Sequence, residues 1–487
     1  MFTGDNGVLL GWVVLYLLVS IGIGFYAARR VKNSTDYMVA GRSLPIYMVT
    51  ATVFATWFGS ETVLGTSSTF IAEGLGGIVA DPFGAALCLI LVGLFFAVPL
   101  YRMKLLTIGD YYRVRYGRDV ELVTSLVIML SYLGWVAAQM MALGLVFSVL
   151  TDGAISRETG TVIGALIVIS YTLYGGMWSV ALTDFFQMTL IMVGLLFIAW
   201  FITGQIDGGA MAVLAHAEAQ GKMNFLPEGN LVAVLGFIAA LITLGLGSIP
   251  QQDVFQRVMS AKSEKVARNG AIFGGLLYLL FAFIPIYLAY TAFFIDPEMI
   301  TRQLGEGGDS EMVLPSLIMQ HTPLFSQILF FGALLSAIMS TASGTLLAPS
   351  VLVGNNMIKP LLPNLPDHQF LWVVRGIVLL FGGCVLIFAF NSDLTIFQMV
   401  ESAYQVVLVG AFVPLAFGLY WKRANHNGAR LAIASGVSVW LLLPYLSPAA
   451  VAICPPELAG FVASVLGMII GSLFLPNRRI KPMTATD

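Results

Sequence analysis

The 487 residues are 58% hydrophobic and only 10% charged, with a mean hydropathy of +0.89 and a formal net charge of −2. A soluble domain carries about 25% charged residues, so this chain cannot clothe a water-facing surface and lipid must be its solvent. The near-neutral balance implies no polyanionic partner such as nucleic acid, and no nucleophile–base constellation, phosphate loop or metal-ligand spacing points to an enzyme.

Apolar runs of roughly 20 residues, the length that crosses a bilayer, recur along the chain. They lie at about 7–28, 45–70, 78–101, 120–150, 160–182, 184–204, 230–252, 270–295, 324–353, 370–391, 394–421, 428–447 and 456–476. The first has no basic region before it and no small-residue cleavage site, which predicts a membrane span and not a signal peptide. The second is interrupted: in TATVFATWFGSETVLGTSSTF (50–70), Gly59 and Gly65 flank Ser60, Glu61 and Thr62. The fourth carries Trp135, and Thr183-Asp184 falls where the fifth gives way to the sixth. The seventh ends in GLGSIPQQDVFQR (245–257), with Pro250 followed by Gln251, Gln252 and Asp253. Proline removes a helical hydrogen bond and flanking glycines ease unwinding. Broken backbone at membrane depth is tolerated only where it lines a cavity or is buried in protein, and there its carbonyls can bind a cation.

The two breaks are five runs apart. An odd number of spans inverts the second unit, so spans two to six (about 45–204) and seven to eleven (about 230–421) are expected to form two five-helix inverted repeats. The runs at 7–28, 428–447 and 456–476 would be peripheral, all within one transmembrane domain of residues 1–487. The ninth run is rich in small hydroxyl residues, and Ala337, Ser340 and Thr341 share one helical face. Sodium is a hard cation that takes several oxygens, as calcium and magnesium do. Small residues also permit close helix packing, and composition by itself favours that explanation.

Basic residues orient the map. Even-numbered connections hold only Arg157, Lys222 and Arg302, whereas the odd ones and the C-terminal tail hold the other 21 of the 24. The excess of positive charge marks the cytoplasmic side, which puts the N-terminus outside and the C-terminus inside. Glu61, Asp253 and Glu401 fall in or near span interiors, with no basic side chain expected in the membrane core. Such residues are functional candidates, although Asp253, four residues before Arg257, has the spacing of a structural helix pair. Cys88, Cys384 and Cys454 are expected to be small buried hydrophobes.

Five stretches together resemble the sodium:solute symporter family: AGRSLP (40–45), GGMWSVALTDFFQ (175–187), IPQQDVFQRVMSAKS (249–263), SAIMSTASGTLLAPS (336–350) and GLYWKRANHNGA (418–429). The resemblance implies a sodium site built from the carbonyls of Ala55, Phe58 and Ala337 and the hydroxyls of Ser340 and Thr341. Asp184 would either lend charge to the sodium route or cap a helix N-terminus. The broken second span and GWVAAQMMALG (134–144) look closest to the choline-carrier branch, whose tryptophans box a quaternary ammonium. The resemblance implies Trp57 and Trp135 at the solute site; Glu61, inside the break, is placed to face the solute, and Gln251, standing where that branch has another tryptophan, departs from it in favour of a polar or zwitterionic solute. The chain is accordingly expected to be an all-α membrane protein of about 13 transmembrane helices that imports a small organic solute by sodium-coupled alternating access. The solute leans to an organic cation or zwitterion such as an amine or amino acid. The expectation includes no cofactor beyond the coupling ion, no obligate protein partner, and a bacterial inner membrane. The alternatives are a proton-coupled carrier of a sugar, vitamin or carboxylate, and a transporter-like solute sensor.

Overall fold

The computed structural model describes residues 4–227 and 229–475; the tail residues Arg478, Arg479 and Lys481 lie outside the described residues. Helices begin where a polar side chain precedes an apolar run and can accept an otherwise orphaned N–H. Ser156 accepts from Thr159, Asn230 from Ala233, Ser263 from Val266 and Asn425 from Gly428. Thr107 with Asp110, and Thr395 with Gln398, close reciprocal capping boxes.

The membrane-length helices follow from these starts. They are α1 (Gly4–Ala28), the half-helices α2 (Ile46–Trp57) and α3 (Thr66–Glu73), α4 (Leu75–Arg102), the short α5 (Ile108–Tyr116), α6 (Arg118–Leu150) and α7 (Arg157–Thr203). Then come α8 (Leu231–Gly247), α9 (Gln252–Met259), α10 (Glu264–Tyr290), α11 (Leu324–Leu352), α12 (Asp367–Phe390), α13 (Ile396–Tyr420), α14 (His426–Leu446) and α15 (Pro456–Phe474). Among the described residues the only strand-like pairing is an isolated bridge between Leu44 and Ala261. It ties the segment before α2 to the segment after α9, through Leu44 N–H to Ser260 O and Lys262 N–H to Leu44 O.

Ten helices among the described residues are long and apolar enough to cross a membrane, and α8 with α9 makes an eleventh span bent by 45°. The shortfall from thirteen has two sources. The second run is split into α2 and α3, neither long enough alone. The fifth and sixth runs fuse into the 47-residue α7, which is interrupted at Gly176 (φ 50°, ψ −143°). That left-handed backbone is available to glycine. The interruption is a sharp bend, because Gly24 packs against both Tyr171 and Ser179, and a straight helix would hold residues eight apart at about 12 Å. The bend therefore comes well before Thr183-Asp184, where the apolar runs had placed the boundary.

Polarity is inverted relative to a soluble protein. Leu280, Leu380 and Ile387 are 66%, 70% and 67% exposed on the outer surface, while Asp184, Asp253 and Arg257 are buried. Backbone groups are satisfied within helices and charge is kept off the lipid face. Cys88 is buried as expected, but Cys384 is exposed on the outer face and Cys454 is half-buried, because both lie on helix or loop faces turned from the core.

One end of the bundle is closed by a polar knot. The Asn356 amide donates to Asp110 (2.9 Å) and to Glu121 (2.8 Å), and Asn355 donates to Asp110 (2.9 Å). Thr107 donates to Asn356 Oδ1 (2.6 Å), and Arg118 reaches Glu121 (2.7 Å). The Ile108 N–H donates to Gln252 Oε1 (2.8 Å), which fastens α5 to the broken seventh span as well as to the end of α11.

Candidate functional site

At the break in the second span, α2 stops at Trp57 and Phe58 leaves helical geometry (φ −88°, ψ 75°). Carbonyls in the last turn of a helix lack the N–H that would follow, and here the ninth span supplies the missing partners. Ser340 Oγ lies 2.6 Å from the Ala55 carbonyl and 2.9 Å from the Ala337 carbonyl, and Thr341 Oγ1 lies 3.4 Å from the Ala55 carbonyl. Two hydroxyls and two carbonyls thus converge, fully buried, with Phe58 three residues beyond Ala55 on the same broken turn. This all-oxygen, uncharged set suits a hard monovalent cation. A Cβ on Gly59 would come within 2.7 Å of Thr341 Oγ1, 2.5 Å of Glu61 Oε2 and 3.0 Å of Gln139 Oε1, so a larger residue there would displace the polar side chains on both sides.

Asp184 is buried inside α7, well past the Gly176 bend, so it does not cap a helix N-terminus. It accepts from the Thr52 hydroxyl, and its second oxygen has no hydrogen-bond partner among the described residues. Thr52 precedes Ala55 by one turn, which puts Asp184 next to the converging oxygens and not among them. One turn along α2, Thr56 accepts from Arg257 Nε (3.1 Å) and Nη2 (2.7 Å). Arg257 is 1% exposed, so a basic side chain does sit in the core, against the sequence expectation. Its guanidinium fills the space beside Gly344 on α11. The expected Asp253–Arg257 side-chain pair does not form: Arg257 Nη1 donates to the Asp253 main-chain carbonyl (3.1 Å). Thr56 and Gly344 draw the guanidinium toward α2 and α11.

On the other side of Gly59, the Glu61 carboxylate accepts from Trp135 Nε1 (3.1 Å) and Gln139 Nε2 (2.7 Å). Trp57 meets Trp135 edge-on with ring centroids 5.7 Å apart, and stacks on Tyr404 at 6.0 Å. Tyr404 lies 5.4 Å from Trp135, which in turn stacks on Tyr132 at 6.0 Å. Gln251 does not touch Glu61; its amide donates to Ser131 Oγ (2.9 Å), one residue before Tyr132. The four solute candidates therefore belong to one layer between the two breaks, joined through α6. Glu61 also lines a small cavity of about 10 Å³ with Asp81 and Glu401. Asp81 is held by hydroxyls, accepting from Tyr278, Thr66 (2.9 Å) and Thr62 (3.3 Å). Sequence reasoning missed Tyr132, Gln139, Tyr404 and Arg257. The first two were findable, since Tyr132, Trp135 and Gln139 recur at helical i, i+3, i+7 spacing.

A profile of the sodium:solute symporter family matches residues 37–436. The chain belongs to that family. The symporter is 30% identical over 444 residues to the human high affinity choline transporter 1, a match covering 88% of this chain and 75% of the relative. It is 24% identical over 471 residues to the sodium/glucose cotransporter of Vibrio parahaemolyticus, covering 89% and 84%. Its fold superposes on a Na+-coupled sialic acid symporter in a substrate-bound outward-open state with a TM-score of 0.82, at 23% identity, over 99% of this chain and 100% of the other. The symporter is thus an integral membrane transporter and not an enzyme, with sodium as coupling ion and a small solute as cargo. Membership decides for sodium over a proton, and for transport over sensing.

Proposed function

We propose that the symporter imports a small organic cation or zwitterion, an amine or amino acid, by alternating access. The observation that carries the ion site is the meeting of the Ser340 and Thr341 hydroxyls with the Ala55 carbonyl at the break in the second span. Sodium sits among the carbonyls of Ala55, Phe58 and Ala337 and these two hydroxyls, with Asp184 lending negative charge from the next turn. Its binding replaces hydrogen bonds that otherwise pin α2 to α11, and orders the broken turn that presents Trp57 and Glu61. The solute then lies against Trp57, Glu61, Trp135 and Gln251, where a carboxylate and aromatic faces favour positive charge. The high affinity choline transporters among the relatives support the cationic lean. Two five-helix repeats, about 45–204 and 230–421, rock to pass ion and solute inward. The chain needs no obligate protein partner and works in a bacterial inner membrane with its N-terminus outside.

The test is a thermal-shift screen of the detergent-purified protein against amines, amino acids, sugars and carboxylates, each in sodium and in potassium. A ligand that binds the native state raises its apparent stability by mass action. An amine or amino acid that stabilises only in sodium is the expected result. Stabilisation by a sugar or simple carboxylate alone would overturn the cationic assignment.

A further inference from the structure

Counting donors and acceptors in the layer between the two breaks narrows the solute further, on the reading that the solute binds there. The indole and amide donors around Glu61 are already committed. Trp135 and Gln139 give their N–H groups to Glu61, and Gln139 Oε1 accepts the Ser60 N–H at 2.9 Å, which fixes that amide's orientation. The Ser131 hydroxyl donates to the Ile128 carbonyl (2.7 Å), so its oxygen can only accept from Gln251, whose Nε2 is 2.9 Å away. The Gln251 amide is therefore held with Oε1 turned away from Ser131. The Tyr132 hydroxyl donates to Asp253 Oδ1 (2.5 Å) and accepts the Asp253 N–H (2.9 Å). Among the groups left without a hydrogen-bond partner among the described residues are two that can only accept, Gln251 Oε1 and Asp253 Oδ2, beside the Ser60, Ser248 and Tyr404 hydroxyls and Gln252 Nε2. Gln251 and Asp253 are 1% and 0% exposed. Native proteins rarely leave such groups unpaired, and an orphan of this kind calls for an explanation. Tyr132, bonded to Asp253 and stacked on Trp135, joins Asp253 to the Trp57–Trp135 faces, against which Tyr404 also packs.

We propose that the solute is a protonated primary or secondary amine, whose N–H groups are received by Gln251 Oε1 and Asp253 Oδ2 while its charge lies against the aromatic rings. A quaternary ammonium offers the same charge and no N–H, and would leave both acceptors buried and dry. Discrimination by a missing hydrogen bond is steep where the site's polar groups are sealed from water.

The experiment measures calorimetric affinity, in sodium, for ethanolamine, its N-methyl and N,N-dimethyl derivatives and choline, and in parallel for glycine, sarcosine and glycine betaine. Charge is constant along each series while N–H groups are lost. The expected result is at least a tenfold loss of affinity on removal of the last N–H in the series that binds. With Gln251→Leu the gap should shrink to under threefold while the sodium-induced thermal shift persists, which shows that the variant is folded. Equal or tighter binding of choline or betaine, or full discrimination retained in Gln251→Leu, would overturn the proposal. Failure of both series, with a sugar or carboxylate binding in sodium instead, would overturn the underlying cationic site as well.

Discussion

Ser340 and Thr341 hold α2 with protons that a cation would turn aside, because a hydroxyl that donates to a carbonyl faces it with hydrogen, not with a lone pair. Replacing both by alanine removes the lone pairs and two neutral hydrogen bonds, each worth about 1 kcal/mol. Ser340→Ala with Thr341→Ala should erase the thermal shift produced by sodium and leave the melting temperature in potassium within a few degrees of the parent. A persistent sodium response would remove these residues from the ion site. Glu61 invites the complementary substitution. A glutamine there keeps the shape but cannot accept from Trp135 and Gln139 together, since one of its two terminal atoms is itself a donor. Glu61→Gln should weaken solute binding by at least tenfold in calorimetry while preserving the sodium shift. Loss of both responses together would mean that Glu61 acts on the fold and not on the solute. At this scale much of the candidate site was legible. The hydroxyl pair and the carboxylate stood out as polar residues in apolar runs, and the tryptophans through their likeness to the choline branch. Arg257 did not stand out, because a basic residue near a span end serves equally well at the lipid interface. Its burial depends on a threonine and a glycine contributed by spans remote in sequence.

The breaks in the second and seventh spans were readable from glycine, proline and polar clusters. The division of α7 was not, because Gly175-Gly176 lies inside a run that is apolar on both sides, and hydropathy carries no information about φ. The polar knot joining α5 to α11 and α9 was also invisible. Its long-range bonds join residues 144 to 249 positions apart, so no local pattern links Asp110 to Asn356. The knot makes α5 a closure of one end of the bundle, and Asn356 is its centre, standing between two carboxylates. Asn356→Ala leaves Asp110 and the buried Glu121 each short of one donor, at a cost of about 1–3 kcal/mol per unsatisfied group. Hydrogen exchange across residues 106–116 should accelerate at least tenfold, a local opening free of global unfolding. Unchanged exchange there, measured by mass spectrometry, would show that the knot carries no closing energy.

Taken whole, the molecule is an apolar surface around a polar interior, and on the thirteen-span map expected from the sequence 21 of the 24 basic residues fall on odd connections or the C-terminal tail. That arrangement fails if any span is missed or invented, so a two-position labelling experiment tests the entire map. In a background with the three cysteines replaced, Glu306→Cys should react with a membrane-impermeant maleimide in intact cells. Lys262→Cys, exposed like Glu306 but on an odd connection, should react only after permeabilisation. The opposite pattern would invert the protein, and labelling of both from outside would break the thirteen-span count.

Gly59 stands between the two sites with nothing to spare on either side, Thr341 within reach of one face and Glu61 with Gln139 of the other. On the proposed sites, ion and cargo would be separated by the thickness of a single peptide unit, and no long relay would be needed to make one aware of the other. Whatever factor sodium lends to the grip on cargo, the cargo must return to sodium, since the two binding free energies share one coupling. On the proposed sites the coupling would be local, passing through the broken turn of residues 55–61 and the Ser340–Thr341 pair that meets it.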